Sequence, residues 1–474
     1  MNSTDAPPAA SPRTLEVRSP YDQRTLERLP TSQAEELERM LERAHGRFRD
    51  RDRWLSVPDR VAILERAAEG MRAVEQELAL TIAREGGKPL GDARVEAARA
   101  IEGVVLAAEG LRSQRGSEMP MSSPLAAGRI AFTRHEPIGV VVAVSAFNHP
   151  LNLIVHQVAP AVAAGCPVIV KPSELTPLSC LRFVQLLREA GLPEDLAQVV
   201  LTDELPLAES LVTDARVGFF SFIGSARVGW MLRSKLAPGV RCALEHGGAA
   251  PALVAADADL EACAELLTRG GFYHAGQVCV STQRVFAERS IARQLAENLA
   301  ERARALVVGD PTDGRTQVGP LIRGREVERV EAWVSEALDA GAEALCGGER
   351  HCPSCYAPTV LWDPPADSRV MREEIFGPVV CVTPYDELDE AIARANELPF
   401  AFQAAVFTRD LDRALRAATR LDASAVMVNE HTAFRVDGVP FAGLRQSGLG
   451  VGGIEHSLHE MQIEKMVVVR SGEL

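Results

Sequence analysis

One cysteine of the chain lies where its neighbours would expose a thiol. Cys279 stands in GGFYHAGQVCVSTQR (residues 270–284), shortly after Gly276 and Gln277. A thiol beside a glycine turn can act as a nucleophile once it loses its proton. A single unpaired cysteine is more often a small buried apolar residue, so the segment alone leaves both interpretations open.

Three other segments place polar groups at the ends of apolar runs. In VIVKPSELTPLS, Lys171 ends a strand-like run and Glu174 follows, where a carboxylate can accept both hydroxyls of an adenosine ribose. In FFSFIGSARVGW, Gly224 ends a run and Ser225 opens a helix, a setting that favours pyrophosphate. Glu245 ends a third run in ALEHGG. Each segment also has a structural interpretation: a solvated Lys–Glu pair, an ordinary strand–helix turn and a capping carboxylate.

The elements that must position these groups alternate between strand-like and helix-like patterns. From about residue 138, short β-branched runs alternate with amphipathic segments in two series that join near LEHGGAAP. This alternation predicts an α/β fold with two doubly wound parallel sheets, preceded by a helical region at 33–113. In the helix TPLSCLRFVQLLREAG, Thr176 is the expected N-cap. The segments 128–137 and 464–470 each resemble a lone strand, which predicts pairing with each other or across an oligomer interface.

Two motifs are expected to carry no chemistry. GLGVGG (448–453) matches a dinucleotide fingerprint by letter, but no strand precedes it and we interpret it as a flexible turn. Cys352 and Cys355 form a C-x-x-C pair without a second ligand pair or a thioredoxin-like βαβ setting. We interpret that pair as part of a surface loop, and no metal site is expected.

Composition excludes several classes of protein. A net charge of −14 argues against binding to nucleic acid or to an anionic membrane surface. No apolar run reaches the length of a membrane span, and MNSTDAPPAASPRT looks like a disordered tail rather than a signal peptide. The nine cysteines are scattered and odd in number, which favours the reducing cytoplasm.

Taken together, the motifs resemble the aldehyde dehydrogenase superfamily, and the resemblance extends from about residue 15 to residue 470. In chain order they are SAFNHP with Phe147 and Asn148, KPSE with Lys171, Ser173 and Glu174, FIGS with Gly224 and Ser225, LEHGG with Glu245, GQVC with Cys279, EEIFGPV with Glu374 and Phe376, and PFAGLRQSG. Glu245 and Cys279 lie 34 residues apart, which is similar to the usual spacing in the family. This combination favours the nucleophile interpretation of Cys279.

The resemblance implies a mechanism and a cofactor. Cys279 would add to an aldehyde as a thiolate, Asn148 and the Cys279 N–H would hold the oxyanion, and Glu245 would activate the water that hydrolyses a thioester. The implied cofactor-binding residues are Phe147, Lys171, Ser173, Glu174, Gly224, Ser225, Glu374 and Phe376. A carboxylate at position 174 repels a 2′-phosphate, so NAD is expected rather than NADP.

The resemblance also implies an organisation and an assembly. Residues 1–117 and 138–247 would form the NAD-binding domain and residues 248–445 the catalytic domain. Residues 118–137 and 446–474 would form a small β element that bridges subunits of a homodimer or homotetramer.

The substrate tunnel of the family would be lined here by His149, His156, His431, Phe434 and Arg435. These side chains indicate a small polar aldehyde, and the candidates are a semialdehyde, a phosphonoaldehyde and lactaldehyde. The same side chains could equally satisfy backbone groups or lie at subunit contacts.

The chain departs from the family pattern at His246, Ala249 and His274 and at Val451-Gly452-Gly453. It also departs in the 201–210 segment, which replaces a glycine-rich turn on the adenine side. His274 could hold its loop or tune the thiol by charge. The altered 201–210 segment keeps two alternatives open, a cofactor-independent esterase and a non-catalytic binding or structural member of the family.

Overall fold

The N-terminal region is a hairpin followed by four helices. A computed structural model describes residues 13–474, so all but the last two residues of the expected N-terminal tail lie outside the described residues. The elements are β1 (Thr14–Arg18), β2 (Thr25–Pro30), α1 (Ala34–Arg49), α2 (Val57–Ala73), α3 (Glu75–Gly86) and α4 (Leu90–Ser113). On α1 the buried residues Leu37, Met40, Leu41 and Ala44 recur at helical spacing, so one face of the helix packs against the first sheet.

The first sheet carries the cofactor-side motifs. Its region contains β3 (Glu118–Met119), β4 (Arg129–Pro137), β5 (Val140–Val144), α5 (Asn152–Ala164), β6 (Val168–Lys171), α6 (Leu178–Glu189), β7 (Ala197–Val199), α7 (Leu205–Thr213), β8 (Val217–Ile223), α8 (Ala226–Arg233) and β9 (Arg241–Glu245). Strands β9, β8, β5, β6 and β7 lie side by side in that order and are parallel. Their buried Val, Ile and Phe side chains pack against helices on both faces.

The second sheet carries the cysteine. Its region contains β10 (Ala250–Val254), α9 (Leu260–Phe272), β11 (Thr282–Glu288), α10 (Arg289–Ala305), α11 (Gly324–Asp339), β12 (Glu343–Cys346), β13 (Arg350–Cys352), β14 (Cys355–Tyr356), β15 (Thr359–Trp362), α12 (Arg369–Arg372), β16 (Val379–Tyr385), α13 (Leu388–Ala395), β17 (Phe400–Ala401), β18 (Gln403–Phe407), α14 (Leu411–Arg420) and β19 (Ala425–Val428). The order is β12-β15-β16-β11-β10-β18-β19, and the β12–β15 pair alone is antiparallel. The expected fold is confirmed: two Rossmann-like α/β units and a small β element.

The chain ends by returning to the first unit. The last elements are β20 (Leu444–Arg445), β21 (Gly448–Leu449), α15 (Ile454–Glu460) and β22 (Gln462–Arg470). Strand β21 joins the edge of the first sheet next to β9, and α15 packs on α4 and α5. Strand β22 pairs along its whole length with β4, so the two lone strands pair with each other within one chain. The domain bounds given above stay a prediction.

Local expectations differ from the structure at the start of α6. Thr176 does not cap this helix; its buried hydroxyl has no hydrogen-bond partner among the described residues. The carboxylate of Glu85, from α3, accepts the N–H groups of Leu178 and Ser179 at 2.7 and 2.9 Å instead. The two oxygens of a carboxyl group from a distant helix accept both of these free N–H groups, which a single neighbouring hydroxyl does not.

Two motif segments also differ from the sequence-based expectation. The run QVCVSTQRVFAE (277–288) predicts a single strand, but residues 277–281 form a loop and β11 starts at Thr282. Cys352 and Cys355 lie on a tight hairpin rather than in an irregular surface loop. Within residues 13–474, every helix is too short or too polar to cross a lipid bilayer.

Candidate active site

The site lies where the two sheets face each other. Strands β6, β8 and β9 are parallel, so Lys171, Gly224 and Glu245 at their carboxyl ends share one edge of the first sheet. Cys279 precedes β11, and Glu374 precedes the adjacent parallel strand β16, which brings their segments to one edge of the second sheet. Ligand crevices in α/β sheets open at the carboxyl ends of the strands, which is the edge that the first sheet presents here.

The loop that presents Cys279 has a constrained backbone. His274, Ala275 and Gly276 all adopt left-handed conformations, with φ of 48°, 53° and 68°. A Cβ on Gly276 would lie 2.1 Å from the carbonyl oxygen of Gly377, so only glycine fits there. Two consecutive non-glycine residues in this region are strained, which is a common property of functional sites.

Hydrogen bonds of the Gln277 side chain hold the cysteine loop in place. Its Nε2 donates to the Pro320 carbonyl at 3.2 Å, and its Oε1 accepts the Ile322 N–H at 3.0 Å. Its own carbonyl accepts a hydrogen bond from Nδ2 of Asn148 at 2.9 Å. Asn148 is buried, and an amide nitrogen has two hydrogens, so one anchors Asn148 to the cysteine loop and the other stays available for an oxyanion.

Two carboxylates and one guanidinium set the electrostatics around the thiol. Burial, followed by the charges of Glu374 and Glu245, raises the pKa of Cys279 above its usual value, and the positive charge of Arg435 opposes the rise. Burial also raises the pKa of Glu245 to about 7. A carboxylate with a pKa near neutrality can take up and release a proton at working pH, as a general base must.

Glu245 occupies a niche that a glycine provides. A Cβ on Gly452 would lie 2.1 Å from Oε1 of Glu245, so any larger residue at 452 would push the carboxylate away. Gly452, in the GLGVGG segment, therefore leaves the space that the Glu245 carboxylate occupies. The first residues of the segment form β21 against β9, and Gly452 bridges to Phe441, so the segment is more ordered than the flexible turn expected from its sequence.

Glu374 and two phenylalanines line the side where the nicotinamide end is expected. A Cβ on Gly247 would lie 1.6 Å from Oε1 of Glu374, so Gly247 makes the space for this carboxylate. That oxygen is buried without a hydrogen-bond partner among the described residues, and burial raises the pKa of Glu374 to about 7. An unpaired buried acceptor is what a ribose hydroxyl would satisfy. The rings of Phe147 and Phe376 pack edge to face at 5.9 Å.

The adenosine side contains a cation that the sequence analysis missed. Glu174 is 3.8 Å from Lys171 Nζ, and Arg323 donates to it at 2.7 Å. Burial favours the neutral acid, but Lys171 and Arg323 outweigh it and lower the pKa of Glu174. The 201–210 segment contributes Asp203, whose charge also acts on Lys171. The hydroxyl of Ser173, in the same turn, accepts a hydrogen bond from the Leu175 N–H at 3.2 Å.

The N-terminus of α8 is free to bind an anion. Ser225 is the N-cap residue, and its side chain makes no capping hydrogen bond, so the hydroxyl and the first N–H groups are available for a phosphate. His246 supports this end of the helix: Nδ1 lies 3.0 Å from the Gly224 carbonyl, and the ring fills the space over Gly229. The residues present therefore fit a nicotinamide dinucleotide.

The five proposed substrate residues differ in their surroundings. Arg435 stacks on Phe441 at 3.7 Å from the ring centroid, and its buried Nη1 has no hydrogen-bond partner among the described residues. His149 is buried, with Nε2 3.4 Å from the Tyr273 hydroxyl. His431 is buried too, and its Nδ1 accepts the Ala433 N–H. Phe434 is exposed.

His156 belongs to a buried cluster centred on Asp437. Its Nε2 lies 2.7 Å from Oδ1 of Asp437, which also receives two hydrogen bonds from Arg99 at 2.8 and 2.9 Å and one from Asn152. Burial favours the neutral acid, but His156 and Arg99 together hold the pKa of Asp437 well below its usual range. Because Asp437 is two residues from Arg435, this cluster fixes the loop that carries Arg435.

The structure favours a structural role for His274. The side chain is fully buried, and neither ring nitrogen has a hydrogen-bond partner among the described residues. Burial and the charge of Lys88 lower its pKa well below the usual value, so the ring is neutral and does not lower the pKa of the thiol by charge. It packs against His149 and Tyr273 and thereby supports the cysteine loop.

Two of these residues, Arg323 and Arg99, carried no usable sequence signal and are identified only by their contacts, because their segments have compositions ordinary for surface helices or loops. Asp437 had one weak clue, because it follows Arg435 by two residues in a loop already considered for substrate. Gly452 lies in GLGVGG, but its role beside Glu245 is seen only in the fold.

Comparisons with known proteins agree with the geometry. The model of the aldehyde dehydrogenase family matches residues 8–467. A 3-sulfolactaldehyde dehydrogenase from Priestia aryabhattai is 40% identical over 413 residues, which is 87% of this chain and 86% of that protein.

Two crystal structures superpose on nearly the whole chain. Aldehyde dehydrogenase 21 from Physcomitrella patens, in complex with the reaction product succinate, has a TM-score of 0.94 and 31% identity over 98% of this chain and 97% of that one. Glyceraldehyde-3-phosphate dehydrogenase from Methanocaldococcus jannaschii, in complex with NADP, has a TM-score of 0.92 and 32% identity over 98% and 100%. The chain belongs to the aldehyde dehydrogenase family.

Proposed function

We propose that the protein oxidises a short aldehyde with an anionic head group to the carboxylic acid. The observation that carries this proposal is Arg435, a largely buried guanidinium whose Nη1 has no partner among the described residues and whose charge acts on both Cys279 and Glu245. Burying a cation whose N–H donor has no partner costs free energy, unless a bound anion accepts that hydrogen bond. A sulfonate or carboxylate provides the matching pair of oxygen acceptors.

Two of the similar proteins support an anionic substrate. The Priestia relative is named for 3-sulfolactaldehyde, and the Physcomitrella structure holds succinate. Both molecules carry an acidic group a few atoms from the reacting carbon. Aldehydes of this kind, with sulfonates tested first, are the substrate class that we assign to this chain.

The chemistry follows from the groups around Cys279. The Cys279 thiol releases its proton to solvent as its sulfur adds to the carbonyl carbon. The free N–H of the Asn148 amide together with the Cys279 backbone N–H stabilises the oxyanion. When bound, the nicotinamide dinucleotide supplies the hydride acceptor, and the acyl group is left on Cys279 as a thioester. Glu245 then takes a proton from water, which attacks the thioester and releases the acid.

We propose NAD as the preferred cofactor. The Glu174 carboxylate lies where an adenosine ribose is expected, and Asp203 adds negative charge beside it. Lys171 and Arg323 both contact Glu174, however, and could partly neutralise a 2′-phosphate. The preference over NADP is therefore expected to be moderate, and it is measured directly by the ratio of kcat/KM for the two dinucleotides.

Assembly and compartment are further parts of the proposal. Strand β22 forms the outer edge of the small sheet, and Met466, Val468 and Val469 on it are exposed. A long apolar edge strand usually pairs with another chain, so we infer a homodimer or homotetramer, which light scattering would test. All nine cysteines are free thiols, which fits a reducing compartment such as the cytoplasm.

The test compares anionic aldehydes with neutral ones of the same length. Arg435→Gln should lower kcat/KM for a sulfonated or carboxylated aldehyde by about 30- to 100-fold, the loss expected for a charged hydrogen bond. Turnover of a neutral aldehyde such as lactaldehyde should fall by a smaller factor, because losing the charge of Arg435 also raises the pKa of Cys279. The control Arg302→Gln removes an exposed guanidinium that pairs with Glu261, and it should change neither. Equal losses for both substrates would contradict the assignment.

The same assay decides between the alternatives. Production of reduced nicotinamide that requires Cys279 supports the dehydrogenase. Ester hydrolysis without dinucleotide as the sole activity would support the esterase, and dinucleotide binding without turnover would support the non-catalytic role.

A further inference from the structure

A pair of thiols lies apart from the active site, on a short hairpin. Cys352 and Cys355 are directly opposed in the β13–β14 pair, joined by the two-residue turn Pro353–Ser354. Opposed residues in antiparallel strands point to the same face, with Cα atoms about 4.5–5.5 Å apart. That separation lies within the range of a disulfide, so the bridge requires no movement of the strands.

The two thiols differ in a way that suits sequential oxidation. Cys352 is half-buried, so a small oxidant can reach it, whereas Cys355 is fully buried beside it. Burial alone would raise the pKa of Cys352, but hydrogen bonds from Ser354 and Cys355 outweigh it and lower the pKa. Burial raises the pKa of Cys355. A reactive outer thiol with a buried neighbour is the arrangement of an attacking and a resolving cysteine.

Metal binding does not explain the pair of thiols better than disulfide formation does. Among residues 13–474, no group of three or more His, Cys, Asp or Glu side chains could hold a metal ion. Two thiolates alone do not make a structural zinc site, which needs four protein ligands.

The hairpin contacts the segment that holds the cysteine loop. The carbonyl of Ser354 accepts the Leu321 N–H at 2.9 Å. The residues on either side of Leu321, Pro320 and Ile322, make the two hydrogen bonds that fix the Gln277 side chain. A continuous path of backbone and side-chain hydrogen bonds therefore runs from the turn between the two thiols to Gln277, two residues from Cys279.

We propose that Cys352 and Cys355 form a reversible disulfide in reaction with a hydroperoxide, and that this oxidation changes the stability of the segment that holds Gln277. The proposal does not depend on the substrate or cofactor of the enzyme.

The oxidation balances with the peroxide as the sole oxidant. The Cys352 thiolate attacks one peroxide oxygen; an S–O bond forms, the O–O bond breaks, and the leaving oxygen takes a proton from solvent to depart as water or an alcohol. The Cys355 thiol then attacks the sulfenic sulfur; an S–S bond forms, the S–O bond breaks, and the released hydroxide takes the thiol proton as water. Two electrons pass from the two sulfurs to the peroxide, and an added dithiol reverses the reaction.

The first test measures the bond itself in the full chain. A Cys279→Ser background removes the active-site thiol, so peroxide cannot react there. One equivalent of hydrogen peroxide should lower the intact mass by about 2 Da, the mass of two hydrogens, and dithiothreitol should restore it. Adding Cys352→Ser or Cys355→Ser should abolish the loss, whereas Cys346→Ser, at a buried thiol nearby, should leave it unchanged. A loss that persists without Cys352, or oxygen addition in place of the loss, would overturn the disulfide.

The second test measures the link to the loop by hydrogen–deuterium exchange. In the Cys279→Ser background, oxidation should change the exchange rate of peptides covering 276–280 and 318–323 by about twofold or more. The Cys279→Ser/Cys352→Ser protein, treated with the same peroxide, should show no change. Identical exchange in the reduced and the disulfide-bonded protein would refute the coupling. Neither test uses turnover, so failure of the proposed activity would not affect the outcome.

Discussion

Glu245→Gln should make the folded protein more stable at alkaline pH while it blocks turnover. Burial raises the pKa of Glu245 from 4.5 to about 7. A raised carboxylate pKa means that the ionised form is disfavoured in the folded state, at about 1.4 kcal/mol for each tenfold difference in acidity. At pH 8 the wild-type protein therefore bears a cost of up to about 3 kcal/mol that a neutral amide of the same shape avoids.

The sign and the pH window are fixed by the same linkage. Below pH 4.5 the carboxyl is protonated in both the folded and the unfolded chain, so the variant gains nothing there. Between pH 4.5 and about 7 the wild type progressively loses stability, and above pH 7 the difference is constant. Urea unfolding at pH 5 and pH 8, at one protein concentration, measures the difference in the free energy of unfolding.

A matched carboxylate provides a control of opposite sign. The pKa of Glu174 is lowered because Lys171 and Arg323 outweigh its burial. Its contribution to stability is present above its unfolded pKa and is lost as the pH falls. Glu174→Gln should therefore destabilise the protein at pH 8. A Glu245→Gln protein that is no more stable relative to wild type at pH 8 than at pH 5 would refute the reasoning.

The same variant should separate the two halves of the reaction. Without the Glu245 carboxylate, one equivalent of reduced nicotinamide should form in a burst, and steady-state turnover should fall by about 10²- to 10⁴-fold. The acyl group should accumulate on Cys279 and appear in the intact mass. Rapid steady turnover in this variant would show that another group activates the water.

Three further predictions follow from the site. Gly452→Ala should lower kcat by more than about tenfold with little change in the affinity for dinucleotide, because the new Cβ would displace the Glu245 carboxylate; an unchanged kcat would contradict this. Asp437→Ala should destabilise the fold by about 3–5 kcal/mol, since it leaves the Arg99 guanidinium partly buried without its partner, and thermal or urea unfolding measures the loss. Glu174→Gln should shift the NAD to NADP ratio of kcat/KM toward NADP by about tenfold, because it removes a repulsion of about 1.4 kcal/mol between the Glu174 carboxylate and the 2′-phosphate. A shift toward NAD would show that Glu174 does not face the 2′ position.

The architecture could be predicted from the sequence because strands and helices differ in the spacing of their apolar residues. The buried strands β5, β6 and β8 appear as largely apolar runs, and the helices between them show apolar residues at helical spacing. The exact ends of the helices and strands were harder to predict. Thr176 is a good N-cap by residue type, yet Glu85 caps α6, because the competing acceptor comes from 93 residues away in the chain. A local pattern cannot show a partner that folding brings in.

For the site, the sequence by itself determined the types and order of the reactive groups. Cys279, Glu245 and Asn148 were predicted as reactive groups from their motifs, and the strand ends predicted where a dinucleotide would lie. Their charge states were decided only by the tertiary structure, because a pKa depends on burial and on neighbours from other elements.

The environment of the substrate was also decided by packing. The loop that carries Arg435 is held by Asp437, which meets Arg99 across 338 residues of sequence. Glu174 meets Arg323 across 149 residues. Sequence fixes which side chains exist, but the hydrogen bonds and ion pairs that set their orientation and charge form between segments that only the folded chain brings together.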